Sequence, residues 1–169
     1  MVDVPELEML IAASAERLSQ GFYTDDETRA AIKHVFGVDT DLVADGSYLI
    51  AEDGAALLGC GGWSARRTLF GSDRFAARET GRLDPVTDAA RIRAFFVAPE
   101  QARRGVGSAL LDACEAAAAA AGFHMTTLMA TLPGVPFYAR RGYLADEAVT
   151  LDLGDIPVRF VPMTKTLPA

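Results

Sequence analysis

The chain has 169 residues, half of them apolar and 23% charged. That length suits one domain with a core large enough to need no disulfide or metal staple. Sixteen basic against 23 acidic side chains give a net charge of −7, which excludes a generic nucleic-acid or anionic-membrane binder without excluding a local basic pocket. Cys60 and Cys114 stand far apart in apolar settings, so neither a disulfide framework nor a metal ligand set is expected, and a reducing, cytoplasmic compartment is the simpler reading. The start, Met1 to Glu6, is acidic and lacks the pattern of a secretory signal. Gly105 to Met125 is the most apolar stretch, but Asp112 and Glu115 make it a buried helix rather than a membrane span.

Leu7, Leu10, Ile11 and Leu18 recur at helical spacing, and Gly21 stops that helix. Thr24 and Glu27 form a capping box that opens a second helix, expected to run to about Phe36. Phe22 and Tyr23 lie in the connector, either as core or as an aromatic wall of a substrate pocket. Ser47 to Ala51 and Ala56 to Trp63 read as a hairpin about Glu52-Asp53-Gly54. Three glycines near its end, at 59, 61 and 62, point to close backbone approach, and Trp63 is either core or site. Residues 64–90 show no period. So long an excursion inside a compact domain reads as a lid or binding loop, with room for one short helix.

Arg91 to Val97 is a strand, Gln101 to Gly107 a basic glycine-containing turn, Ser108 to Ala121 a helix and Phe123 to Thr131 a second strand. This unit predicts a right-handed parallel crossover. Phe137 to Arg141 is a short helix, and Ala148 to Leu153 with Val158 to Leu167 form a last hairpin. The expected fold is an α/β mixed sheet, mostly antiparallel with one parallel strand-helix-strand unit, and helices on both faces, over a single domain of residues 1–169.

The turn before the crossover helix carries the chemistry. Its glycines let a ligand approach the backbone, and the first amides of the following helix have no intrahelical partners. With the helix dipole they suit a pyrophosphate, and Arg103, Arg104 and the Ser108 hydroxyl add donors at the same rim. The turn is neither a Walker loop nor a dinucleotide fingerprint. Alone it reads equally as a surface turn.

In context, Val97-Ala98-Pro99-Glu100 followed by Ala102-Arg103-Arg104-Gly105-Val106-Gly107-Ser108-Ala109-Leu110-Leu111 resembles the acyl-CoA-binding motif of the GNAT N-acyltransferase superfamily. Pro136-Phe137-Tyr138-Ala139-Arg140-Arg141-Gly142-Tyr143 resembles the second motif of that family, at the family's spacing. One departure is visible: Ala102 stands where the family usually has Gln or Arg.

The resemblance implies acetyl transfer from acetyl-CoA to the amine of a small molecule or peptide, with no metal, by direct attack in a ternary complex. It implies that main-chain groups of Phe95, Phe96 and Val97 meet the pantetheine or the thioester carbonyl. Residues Ala102 to Ser108, Val106 included, would hold the pyrophosphate. Tyr138 would protonate the departing thiolate. The side chains of Phe95 and Phe96 also suit the core. No general base is evident: Glu27, Asp45, Glu79 and Asp88 are loose candidates, His34 and His124 read as structural, and a water relay serves equally. For the acceptor, Phe22, Tyr23, Trp63, Arg66, Arg67 and Arg93 come from segments that often border the groove in this fold. Arg93 would hold either a substrate carboxylate or an internal acid. Two other classes stay open: an acyl-CoA sensor without catalysis, and one part of a protein-modifying complex. Monomer and homodimer both fit.

Overall fold

The protein is described by a computed structural model covering residues 4–168; Met1 to Asp3, which open the acidic start, lie outside the described residues. The first helix, α1 (Val4–Leu18), buries Leu7, Leu10 and Ile11 of the predicted stripe together with Ser14 and Ala15, while Leu18 at its end is only half-buried. The capping box opens α2 (Asp25–His34): the Glu27 amide donates to Thr24 Oγ1 at 3.2 Å, and the Thr24 amide donates to the Glu27 carboxylate at 2.7 Å. Such a cap contributes about 1 kcal/mol. The helix ends two residues short of the expected Phe36, because Val35 and Phe36 turn inward to the core and are buried. A five-residue helix, α3 (Thr40–Ala44), follows; it is too short to leave a period in the sequence and was not expected.

Strands β1 (Tyr48–Asp53) and β2 (Ala56–Ser64) form the predicted hairpin, and β3 (Ala90–Val97) pairs antiparallel with β2. The excursion between β2 and β3 contains no regular element beyond one bridge between Arg66 and Arg82; the short helix allowed there does not form. Beyond β3 come α4 (Val106–Ala120), β4 (Met125–Thr131) and α5 (Val135–Arg140). A two-residue strand, β5 (Leu144–Ala145), was too short to be read; β6 (Val149–Asp152) and β7 (Pro157–Thr166) form the last hairpin.

The sheet order is β1-β2-β3-β4-β7, with β5 and β6 sharing the outer edge of β7. Among the described strands, only β3 and β4 pair in parallel. One face of the sheet packs Cys60, Val158 and Phe160 against α1 and α2. The other packs Ile92, Leu128, Ala130, Val161 and Met163 against Leu111 and Cys114 of α4 and Tyr138 of α5. Full burial of a residue such as Leu111 contributes about 1.5–3 kcal/mol.

The parallel pair is short. It holds register only at Ala90 with Thr126 and Arg91 with Thr127, and beyond those residues β3 and β4 have no pairing with each other. A bulge sits on β3 at the same point. The register with β2 slips between Cys60 and Gly62, and Ala94 adopts a left-handed φ of 52°. The extra residue puts Phe95 with Ile92 toward α4 and α5, and Phe96 with Arg93 toward α1 and α2. Gly61 is required opposite the bulge, since a Cβ there would run into the Phe95 ring.

Candidate active site

The gap between the diverging strands is a cavity of about 730 Å³, lined by β3 from Ile92 to Val97 and by β4 from Leu128 to Thr131. It passes through the sheet. On one face it meets the turn before α4 and the first residues of α5; on the other it meets the α1–α2 connector and the excursion.

At the turn, Gly105 takes a φ of +91° and Arg103 a φ of +63°. Both values lie in the region that glycine tolerates best. This folds the chain so that α4 begins at Val106, two residues before the expected start. The first intrahelical bond there runs from the Ala109 amide to the Gly105 carbonyl. The amides of Gly105 to Ser108 precede that bond at the positive end of a 15-residue helix. Ala102, Arg103, Gly105, Gly107 and Ser108 line the cavity; Arg104 and Val106 do not. Arg140 and Arg141 of the α5 segment line it too, and Arg141 pairs with Asp112 of α4. The sequence pattern does not single out these two arginines, although they sit inside the second motif.

Tyr138 is buried and lines the cavity, ringed by Phe95, Phe137 and Tyr143 at centroid distances of 6.3, 5.0 and 5.6 Å. Burial raises its phenol well above the ordinary value, with the neighbouring Cys114 thiol adding to the effect. The group is therefore a neutral O–H donor across the working pH range. Gly134 keeps the approach open, since a Cβ there would stand 3.3 Å from the Tyr138 ring.

The residues read for the acceptor separate. Phe22 is half exposed and lines the cavity. Tyr23 does not line it: its hydroxyl donates to the Arg159 carbonyl and accepts the Leu132 amide at 3.0 Å, tying the helix connector to β7 and to the end of β4. Trp63 packs edge-on against Phe123 at 6.1 Å, beside the start of β4 and outside the cavity lining. Arg66 is held by Asp45 through two 2.7 Å hydrogen bonds.

Arg93 is fully buried and pairs with Asp39, an internal acid just before α3 that the sequence did not identify. Burial pulls its pKa down, and Asp39 opposes that shift. Asp39 also takes Arg78 at 3.1 Å, and Arg78 reaches Asp41 and, at 2.9 Å, Asp73. Arg66 continues the chain to Asp41 at 3.3 Å. These ions clamp the excursion to α3, and Arg93 Nη2 also reaches the Gly71 carbonyl at 3.4 Å. The clamp sets Phe70, Gly71 and Ser72 as a cavity wall. Glu27, Asp45, Glu79, Asp88, His34 and His124 are all outside the lining. Among the described residues, no carboxylate or imidazole lines the cavity. Nor do they contain a cluster of three or more potential metal ligands, or a helix long and apolar enough to cross a membrane.

Comparison with known proteins agrees with this fold. A comparison with curated proteins finds no match. Among solved structures, the chain is similar to a GCN5-related N-acetyltransferase from Rhodopseudomonas palustris, with 21% identity, a TM-score of 0.71, and coverage of 98% of this chain and 90% of that one. It is also similar to the PaiA N-acetyltransferase of Thermoplasma acidophilum, solved in complex with coenzyme A (14% identity, TM-score 0.63, coverage 98% and 95%). A ribosomal-protein-alanine N-acetyltransferase from Brucella melitensis is a third (15% identity, TM-score 0.59, coverage 98% and 97%). At these identities the likeness is one of fold. The family model for the acetyltransferase (GNAT) domain matches residues 75–167, more than half of the chain and all of the crossover unit, and the protein belongs to that family of acetyltransferases.

Proposed function

We propose that the chain, acting as one domain over residues 1–169, transfers an acetyl group from acetyl-CoA to a primary amine of a small molecule or peptide. The observation that carries this reading is the opening of the parallel pair after Arg91 and Thr127. Along the cavity wall it leaves Ile92 to Val97 paired with β2 but unpaired on the side that faces β4. Buried backbone groups need partners, and an extended pantetheine arm supplies them. Phe95, Phe96 and Val97 line this stretch of the wall, and an amide there that is free of β2 would polarise the thioester carbonyl. The amides of Gly105 to Ser108, with Arg103, would take the pyrophosphate. Ala102 adds no side-chain donor, so that contact rests on backbone.

The chemistry assigned to the side chains is small in number of parts. The amine nitrogen forms a bond to the carbonyl carbon while the carbon–sulfur bond breaks. Tyr138 gives its phenolic proton to the departing sulfur, and the proton released by the nitrogen returns to solvent or to Tyr138 through water. Placing donor and acceptor on opposite faces of the sheet, meeting in the gap, supports direct attack in a ternary complex over a covalent enzyme intermediate. The neighbouring thiol, Cys114, is buried and pushed up to about 12, which makes it a poor nucleophile.

A thermal melt with acetyl-CoA, free CoA and NAD tests the donor. Both CoA forms should raise the melting temperature and NAD should not. The Tyr138→Phe variant then tests the acid: turnover should fall about 100-fold with acetyl-CoA affinity retained. Unchanged turnover removes Tyr138 from the mechanism. The second reading, acyl-CoA sensing without catalysis, draws on the lack of any lining carboxylate or imidazole among the described residues. Free-thiol release across an amine panel separates the two.

A further inference from the structure

We infer that the acceptor is a small aromatic amine, taken into the cavity uncharged. This rests on the acetyl-transfer reading above and names its substrate class. Two independent features of the acceptor face carry it.

The first is the wall. Phe22 from the helix connector, Phe36 from the end of α2, Phe70 from the excursion, Phe96 from β3 and Phe160 from β7 all line the cavity. Three of their contacts are edge-on or tilted, with centroids 5.4 Å apart for Phe36 and Phe96, 5.6 Å for Phe70 and Phe160, and 6.5 Å for Phe36 and Phe160. Phe36 and Phe160 are buried and back the wall, while the partly exposed rings of Phe70 and Phe96 that pack on them present it to the cavity, a setting in which a further flat ring gains most. Phe22 stands half exposed at this wall, although aromatic side chains of its size are normally covered.

The second is charge. The charged lining side chains are Arg93, Arg103, Arg140 and Arg141, and the described residues put no acid among them. Asp39 and Arg93 have side chains with no exposure, and Asp39 is committed to Arg93 and Arg78. An alkylammonium would therefore find no counter-ion and no base to take its proton. At neutral pH a lysine-like amine is neutral in only about one molecule in 2,500. An amine attached directly to an aromatic ring is neutral there already, because its lone pair is shared with the ring. It needs only a proton acceptor late in the reaction, which water or the Tyr138 phenolate supplies. The apolar wall and the missing base thus select one chemistry. The overall acidity of the chain, which favours cationic acceptors at long range, does not extend into this cavity.

The test uses two isomers, 4-methylaniline and benzylamine, which share size and ring and differ in amine basicity, with spermidine as a cationic aliphatic control. Free thiol released from acetyl-CoA is followed at about pH 7 and about pH 9. The expected kcat/KM at the lower pH is at least about tenfold higher for 4-methylaniline than for benzylamine, and the ratio shrinks at the higher pH as benzylamine loses its proton. Phe22→Ala, at a half-exposed position, should raise KM for 4-methylaniline several-fold and leave KM for acetyl-CoA unchanged. Preference for benzylamine or spermidine overturns the assignment. So does failure of all three in a protein that acetyl-CoA still stabilises. If acetyl-CoA gives no stabilisation, the acetyl-transfer reading itself fails.

Discussion

The two ends of the cavity are built by different means. At the α4 end the groups proposed to bind are main-chain amides, and the parts that place them are neighbours in sequence: Gly105, the turn before it and the helix after it. At the excursion end the wall is made of side chains. Phe36, Phe70 and Phe160 come from remote segments, and ion pairs joining Asp39, Asp41 and Asp73 to Arg66, Arg78 and Arg93 fix the excursion that carries Phe70. A backbone site can keep its function while its surroundings change. A side-chain site assembled from distant segments can be retuned by a few substitutions, and it is lost if its clamp is lost.

The largest effect should come from breaking that clamp. Asp39→Asn keeps the shape but leaves Arg93 buried without its counter-charge, which costs about 3–5 kcal/mol. For a chain of this size the melting temperature should fall on the order of 10 °C. Asp45→Asn, at an exposed position beside Arg66, should cost less than about 1 kcal/mol. Equal melting temperatures for the two variants would mean that the burial of the Asp39–Arg93 pair does not matter. At temperatures where Asp39→Asn is still folded, acetyl-CoA should bind as before and acceptor KM should rise, because Arg93 steadies Gly71 and not the glycine turn.

A smaller effect separates the ions from the core beneath them. Burial pushes the Cys60 thiol, on the α1–α2 face, up to about 11, and the Cys114 thiol, on the α4 face, up to about 12. Both values are raised from the ordinary 9.0, so the native state favours the protonated form. The associated stability is complete below about pH 9 and is lost as pH rises through the native values. By about pH 10 each thiol should have cost about 1 kcal/mol. Denaturant unfolding at about pH 7 and about pH 10 checks the sum. Cys114→Ala should be less stable than the parent at the lower pH and show a shallower alkaline fall. An unchanged alkaline slope would mean that the thiol is not desolvated.

The same contrast explains what could be read from the chain. The parallel crossover, the glycine turn, the capping box and the last hairpin are local patterns, and each appears where its residues predict it. Arg93 was open to an internal acid or a substrate carboxylate, and no local signal points from it to Asp39, 54 residues away. Tyr23 and Trp63 have the composition of a pocket wall but spend their side chains on tying elements together. Burial on the right face was legible; which buried aromatic borders a gap was not, because the gap is set by where the β3–β4 pairing ends. The five-residue α3 and the two-residue β5 are too short for any period to register.

A small stability change should also come from the most legible residue. Gly105 has open space where a Cβ would go, so Gly105→Ala meets no clash, and its cost is the left-handed φ of +91° alone, about 1 kcal/mol. If the turn works through its backbone, that modest strain should appear mainly in ligand binding. Relaxing φ would rotate the first amides of α4 away from the pyrophosphate, and the new methyl group would stand where the ligand approaches. Acetyl-CoA affinity should fall about tenfold by calorimetry, with acceptor KM little changed. A variant that loses its melting temperature but keeps its affinity would place the anion contacts on Arg103 and Ser108 instead. The two ends of the cavity would then be alike in resting on side chains.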